Sequence, residues 1–308
     1  MDANQRAAWL EWRRTNGFGG SDAAAAMGLS KFKSQTQLVL EKRGEIPFGE
    51  DEEWLRWRLA MEDPILREYS ARTGRVVVRP TAPVKSEDHP FMFTTYDGVC
   101  IGSGGASSNR VVQAKTANVK EGWGEPGSDE VPDDYWIQVQ HEMAVAKAPV
   151  ADIPVLFYFS RMEIYTVVAD PQFQATMIEQ ERALWSMVHS DAMPPVLSIK
   201  DAQARWGRHS RLGRIIANAE VLAAIDELKA VDAAADDLEI RKEAAKLVIM
   251  SALGDLEAVA SDDGELLLTW KAQAGRRGLD SKRLQAEYPE AYAACVKQGT
   301  PFRTMLVK

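Results

Sequence analysis

Asp97, Gln113 and Lys115 are the residues of this chain whose types and spacing can do chemistry. They lie on two short β-type runs separated by a Gly/Ser-rich stretch, residues 101–108, that reads as a turn. The two runs are therefore expected to form a hairpin. Side chains alternate faces along a strand, so Gln113 and Lys115 point one way and Ala114 the other. Asp97, at the start of the first run, meets that pair across the ladder. A carboxylate, a second oxygen ligand and a lysine at one sheet edge can hold a divalent cation and an attacking water. Glu62 precedes Pro64 in a helical pattern; Asp63 is expected to cap a second helical segment there, leaving Glu62 at a junction from which it can point into a cleft.

The elements that must position these residues follow from the hydrophobic pattern. Residues 1–14, 34–43 and 51–73 read as helices, the second ended by Gly44. The 16–20 segment breaks the first helix, and Ser21 is a natural N-cap for the Ala-rich run that follows. Strands are expected near 75–78, 82–85 and 91–95, and after the hairpin at 153–159 and 162–168, which are nearly continuous apolar runs typical of buried strands. Between them residues 133–147 form a helix on which Tyr135, Gln138 and Glu142 share a face. Pro171 opens another helix. Helices, a mixed sheet and helices again give a three-layer α/β core. Met193-Pro194-Pro195 marks a boundary. The remainder, 196–308, is expected to be a mainly helical extension with a helical hairpin over 217–260 and short strands at 264–270 and 302–307. Arg205, Arg208, Arg211 and Arg214 recur every third residue, either as a phosphate-facing stripe or as a solvated, acid-paired face.

Composition bounds the alternatives. The chain has 308 residues, 45% hydrophobic and 27% charged, with a net charge of −8. That balance disfavours a protein that coats nucleic acid with its whole surface and allows one that grips a phosphate backbone in a local groove. The two cysteines, Cys100 and Cys295, match no metal or redox spacing, and the expected setting is a reduced cytoplasm. No apolar run is long enough to span a membrane. The four histidines show no metal spacing, Ser21 lacks a His/Asp relay, and the Gly/Ser turn lacks the lysine of a nucleotide-binding loop.

An Asp, then a strand with an amide or carboxylate two residues before a lysine, preceded by a helical glutamate, resembles the PD-(D/E)XK nuclease core. Longer motifs make the resemblance narrower. Arg14 through Ala23 (Arg-x-x-Gly-x-Gly-Gly-Ser-Asp-Ala), Gly28-Leu29-Ser30, Leu40-Glu41-Lys42-Arg43-Gly44 and Tyr135 through Met143 occur in the order found in YqaJ-like viral recombinases, relatives of phage lambda exonuclease. The resemblance covers roughly the first two-thirds of the chain. It implies a restriction-endonuclease-like fold for residues 1–195, with residues 196–308 appended.

The resemblance also implies roles. Asp97, Gln113, the Ala114 carbonyl and Glu62 correspond to ligands of Mg²⁺, with Mn²⁺ a substitute; hard oxygen donors suit both. Lys115 corresponds to the lysine that orients or deprotonates the attacking water, Gln138 helps hold it, and Tyr135 lines the same site. Arg14, Ser21, Thr95 and Lys31 correspond to a pocket for a terminal 5′-phosphate. The implied activity is 5′→3′ resection of linear duplex DNA, leaving 3′ single strands for recombination. The implied assembly is a homo-oligomeric ring, a trimer by preference, with a single-strand annealing protein as partner, in a bacterial host carrying a phage or prophage. Relatives have glutamate where this chain has Gln113. The site therefore reads as a Glu-to-Gln variant with impaired cleavage; the alternative is an inactive module that binds DNA ends or recruits a recombination partner. An endonuclease of the restriction type is a third reading.

Overall fold

The computed structural model describes residues 3–48, 53–101, 110–207, 213–275, 278–297, 299 and 303–305. Two compact units divide at residues 208 and 209. In chain order the first contains α1 (Ala3–Thr15), β1 (Phe18–Gly19), α2 (Gly20–Ala26), α3 (Gln35–Arg43), α4 (Glu53–Thr73), β2 (Val76–Val78), β3 (Val84–Lys85), β4 (Met92–Thr94), β5 (Gly98–Ile101), β6 (Arg110–Val112), β7 (Lys115–Ala117), α5 (Asp133–Ala146), β8 (Val150–Phe157), β9 (Arg161–Val168), α6 (Pro171–Val188) and α7 (Ile199–Trp206). This unit runs past the proline pair at 194–195 because α7 packs on α3.

The main sheet is mixed. β2 pairs antiparallel with β5, β5 antiparallel with β6, and β6 and β7 both run parallel to β8, whose other edge is filled along its length by antiparallel β9. β6 and β7 keep one register on β8, Arg110 opposite Val150 and Lys115 opposite Val155. They are two halves of one strand, interrupted at Gln113 and Ala114. The cause lies in the partner. Gln113 N–H still donates to the Asp152 carbonyl at 2.9 Å, but Pro154, next in register, has no N–H to return to Gln113. The interruption falls where the sequence pattern places the site.

One sheet face packs on α5 and the other on α4. Val111, Ala151, Ile153 and Val155 form a core with Val139 and Met143; Cys100, Val112 and Ala114 form another with Ile65, Leu66 and Tyr69. The three-layer α/β arrangement expected from the sequence is present, with mixed sheets flanked by helices. A smaller sheet, β1 parallel to β4 and β3 antiparallel to it, joins the chain start to the segment before Asp97. It replaces the plain 16–20 loop of the sequence reading. Gly17, at φ +120°, permits it: a Cβ there would lie 2.1 Å from the Phe91 carbonyl oxygen, which accepts from Phe18 N–H at 2.8 Å.

Three local expectations are corrected. α4 continues through Pro64 rather than restarting at an Asp63 cap. The lost backbone bond is offset by burial of Ile65, Leu66 and Tyr69 immediately after it, and Asp63 instead pairs with Arg79 at 2.8 Å. Ser21 is not an N-cap: α2 begins at Gly20, and Asp22 Oδ2 accepts from the Gly19 N–H at 3.2 Å. In the second unit, α8 (Ala219–Leu253) is one continuous helix, not a helical hairpin, because its Ala-rich sequence meets no Gly or Pro before Gly254. It is followed by the antiparallel pair β10 (Ala258–Ala260) and β11 (Leu266–Thr269), then α9 (Ser281–Glu287) and α10 (Pro289–Cys295). The Gly/Ser turn at 102–108, Arg208, Arg211 and half of the expected 302–307 strand lie outside the described residues, and the described part, 303–305, is not in a strand.

Candidate active site

A cavity of about 450 Å³ opens over the strand interruption. Asp97, Gln113, Ala114, Lys115, Glu62 and Gln138 all line it, and so do Tyr135, Thr95 and Ser21. Alternation puts Gln113 and Lys115 on the cavity side, while Ala114 joins the core against α4. Asp97, 8% exposed, turns its Oδ2 onto the Ala114 N–H at 3.0 Å. A side chain thus takes the backbone donor at the interruption, and Asp97 is fixed beside Gln113. Gln113 is 6% exposed, and its Oε1 is buried with no hydrogen-bond donor among the described residues.

Lys115, 7% exposed, donates from Nζ to Gln138 Oε1 at 2.9 Å and stands 4.9 Å from the Tyr135 ring centroid. Gln138 Nε2 in turn donates to Glu142 Oε1 at 2.9 Å. Burial pushes the Lys115 amine below its ordinary range, against the pull of Asp97 and Glu142. Burial raises Asp97, opposed by Lys115 and the Ala114 N–H. Glu62 is pushed up to about 7 by burial and by the nearby Asp97 carboxylate. Its carboxylate is held by Arg79. Burial likewise takes Glu142 up to about 7, opposed by Lys115 and Gln138.

This donor set suits a hard divalent cation. Every group is an oxygen: the Asp97 and Glu62 carboxylates, the Gln113 amide and the Ala114 carbonyl. Carboxylates shifted upward by burial and mutual repulsion gain from a positive ion, and the orphaned Gln113 oxygen lacks a partner that a cation would supply. Among the described residues no three His, Cys, Asp or Glu side chains group as metal ligands, so the amide and the carbonyl have to complete the set.

The expected phosphate residues divide. Ser21 is at the cavity mouth, where its Oγ accepts from Arg13 Nη2 at 3.0 Å, and Thr95 is exposed on the cavity wall. Arg14 is elsewhere: it is turned to Glu11, with Nη1 on the Lys42 carbonyl at 3.3 Å. Successive helix positions differ by about 100°, and the docking of α1 selects Arg13. Lys31 lines a neighbouring cavity with Ser34 and Lys200, whereas Lys33 borders both cavities. Sequence reasoning gave no site role to Arg58, Arg79 or Glu142, although it set Glu142 on the helix face of Tyr135 and Gln138. For Glu142 a signal existed, four residues beyond Gln138 on one helix face; for Arg79 there was none.

His141 lies behind the cavity wall, against the backbone of Phe93. It is fully buried, its Nδ1 2.8 Å from Glu181 Oε1 and its Nε2 3.0 Å from the Phe93 carbonyl. Two acceptors face the two ring nitrogens, so the imidazolium satisfies both. Burial works against that charge, but Glu181 outweighs it and the His141 pKa is raised. An unfolded histidine titrates near about 6.5. The stabilisation is therefore full below that value and is lost as pH climbs through the higher folded value. Thermal unfolding followed from about pH 6 to about pH 9 should show a falling Tm, and His141→Gln should flatten the fall. An equally steep decline in the variant would show that His141 is not its source.

The three-layer α/β core thus gathers a carboxylate, an amide and a lysine at a broken strand. Residues 8–149 match the model of the YqaJ-like viral recombinase domain, the family whose motifs the sequence resembles in order. The chain is 26% identical over 322 residues to the uncharacterized protein YqaJ of Bacillus subtilis, covering 97% of this chain and 93% of that one. Among solved structures it resembles an alkaline exonuclease from Laribacter hongkongensis (15% identity, 60% of this chain and 93% of the other, TM-score 0.48). It also resembles a phage-related exonuclease from Haemophilus somnus (10% identity, 56% and 93%, TM-score 0.43).

Proposed function

We propose that the protein is a Mg²⁺-dependent exonuclease that removes nucleotides 5′→3′ from linear duplex DNA, leaving 3′ single strands for phage-type recombination. The observation that carries this reading is the convergence of Asp97, the orphaned Gln113 oxygen and the Gln138-held Lys115 in one cavity with Arg13 and Ser21 at its mouth. Asp97, Gln113, the Ala114 carbonyl and Glu62 would hold the cation, which on binding supplies charge stabilisation and a more acidic water. Lys115, held by Gln138, would orient the attacking water. Arg13 and the Ser21 hydroxyl bind the terminal phosphate, an arginine fork matching its oxygens. Thr95 extends that surface. By the same reading the chain works as a homo-oligomeric ring, a trimer by preference, in a bacterial cytoplasm, with a single-strand annealing protein as partner. Among the described residues no helix is long and apolar enough to cross a membrane.

Gln113 favours a second reading, a DNA-end-binding module with little cleavage, since an amide brings no negative charge to the cation. Gln113→Glu separates the two. With Mg²⁺ or Mn²⁺ and a 5′-phosphorylated linear duplex, the variant is expected to cleave roughly 10–100-fold faster than the chain as it stands. Covalently closed circles should survive; their cutting would favour an endonuclease. Inertness of Gln113→Glu on linear ends, with binding retained, would establish the binding module instead.

A further inference from the structure

Glu142 lies in the cavity wall but belongs to none of the roles above. It is 1% exposed, yet it is a carboxylate, and no lysine or arginine pairs with it directly among the described residues. Its Oε1 accepts from Gln138 Nε2 at 2.9 Å, and its Oε2 is buried with no hydrogen-bond partner there. A buried carboxylate with one oxygen unmet is costly, so an arrangement that keeps it needs a compensating role.

That role follows from the polarity of the Gln138 amide. One end of it meets a carboxylate and the other an ammonium. With Oε1 on Lys115 and Nε2 on Glu142, both contacts are favourable. Reversed, the amide would turn its NH₂ toward the Lys115 ammonium and its carbonyl toward the Glu142 carboxylate, and both contacts would repel. Lys115 alone biases the amide by one contact; Glu142 adds the second and anchors the far end, one helical turn along α5. The element opposite closes the arrangement. A Cβ on Gly20 would lie 2.9 Å from Glu142 Oε1 and 3.3 Å from Gln138 Cγ, so α2 starts pressed against the pair. The backbone that carries Ser21 to the cavity mouth thus also limits where Gln138 and Glu142 can go.

We infer that Glu142 is a positioning residue for the proposed hydrolysis: it orients the Gln138 amide, and through it the Lys115 ammonium, toward the reacting water. The inference rests on the nuclease reading but is tested separately from it. In the full chain carrying Gln113→Glu, Glu142→Leu is expected to lower kcat for duplex ends roughly 10–100-fold and leave KM unchanged. Glu142→Gln keeps an acceptor for Gln138 Nε2 and should stay within a few-fold of the parent, about half a log unit. In a Gln138→Leu background, Glu142→Leu should cost nothing further, because the group it acts through is gone. A loss of the same size in that background would overturn the inference, as would a loss confined to KM or matched by unfolding at the assay temperature.

A second readout needs no turnover. Lys115 acetylation by an amine-reactive reagent, quantified by mass spectrometry, should change in Glu142→Leu and not in Glu142→Gln. If the parent cuts no DNA but this labelling pattern holds, the nuclease reading fails and the positioning stands. If the parent cuts DNA and Lys115 reacts alike in all three proteins, the positioning is wrong and the nuclease reading is untouched.

Discussion

Lys115→Met is expected to slow hydrolysis of duplex ends by roughly 10²–10⁴-fold, the range for a side chain that handles the proton of the reacting group. The size follows from its setting. The amine is buried, held on one side by Gln138 at 2.9 Å and on another by the Tyr135 ring. Among the described residues the one other lysine that borders the cavity is Lys33, which pairs with Glu41 at 2.5 Å. Methionine keeps the stem volume while removing the charge and the donors, so the core around Ala114 is retained. Stability should change little by comparison, because burial already disfavours the ammonium. Single-turnover digestion of a 5′-phosphorylated linear duplex by Gln113→Glu, with and without Lys115→Met, measures the effect. End binding and Tm serve as controls. Cleavage within a few-fold of the parent, about half a log unit, would remove Lys115 from the proposed chemistry.

Lys42→Met should unfold the start of the chain at the cost of about 3–5 kcal/mol, the penalty for breaking a buried ion pair from one side. The Lys42 side chain is fully buried. Its three protons are all used: on Asp22 Oδ2 at 2.8 Å, the Gly17 carbonyl at 2.7 Å and the Arg13 carbonyl at 3.0 Å. Burial pulls the amine down, but Lys42 and Arg13 hold Asp22 far below the carboxylate range, and the pair stays ionised. Methionine would strand the buried Gly17 carbonyl and the part-buried Arg13 carbonyl and leave Asp22 with Arg13 and the Gly19 N–H. For a unit of this size the loss corresponds to a Tm lowered by about 6–20 °C. Calorimetry on the full chain reads it, and an unchanged Tm would show that the three contacts contribute little. The same clamp fixes Gly19 to Ser21, so DNA-end binding should weaken even below the new Tm.

These two lysines differ in how they could be read. Lys115 was legible as chemistry because strand alternation alone puts it on one side with Gln113, and because Asp97 starts the paired strand. Lys42 appeared only as one letter of a family motif; nothing in a helical pattern says that its amine crosses to the 13–22 segment. The phosphate residues show the same divide. Ser21 and Thr95 reached the cavity as expected, whereas Arg14 and Lys31 did not, and Arg13 and Lys33 border it instead.

From sequence alone came the α/β layering, the strand carrying Gln113 and Lys115, and the helix face joining Tyr135, Gln138 and Glu142. All of these rest on periodicity within a single element, which depends on backbone geometry and needs no partner. Tertiary structure decided the rest: the break in the strand opposite Pro154, the choice of Arg13 over Arg14, the capture of Glu62 by Arg79, and the placing of Gly20 against Glu142. Each is a contact between segments far apart in the chain, and its geometry is set by how whole elements dock, where one residue of helix is a turn of about 100°.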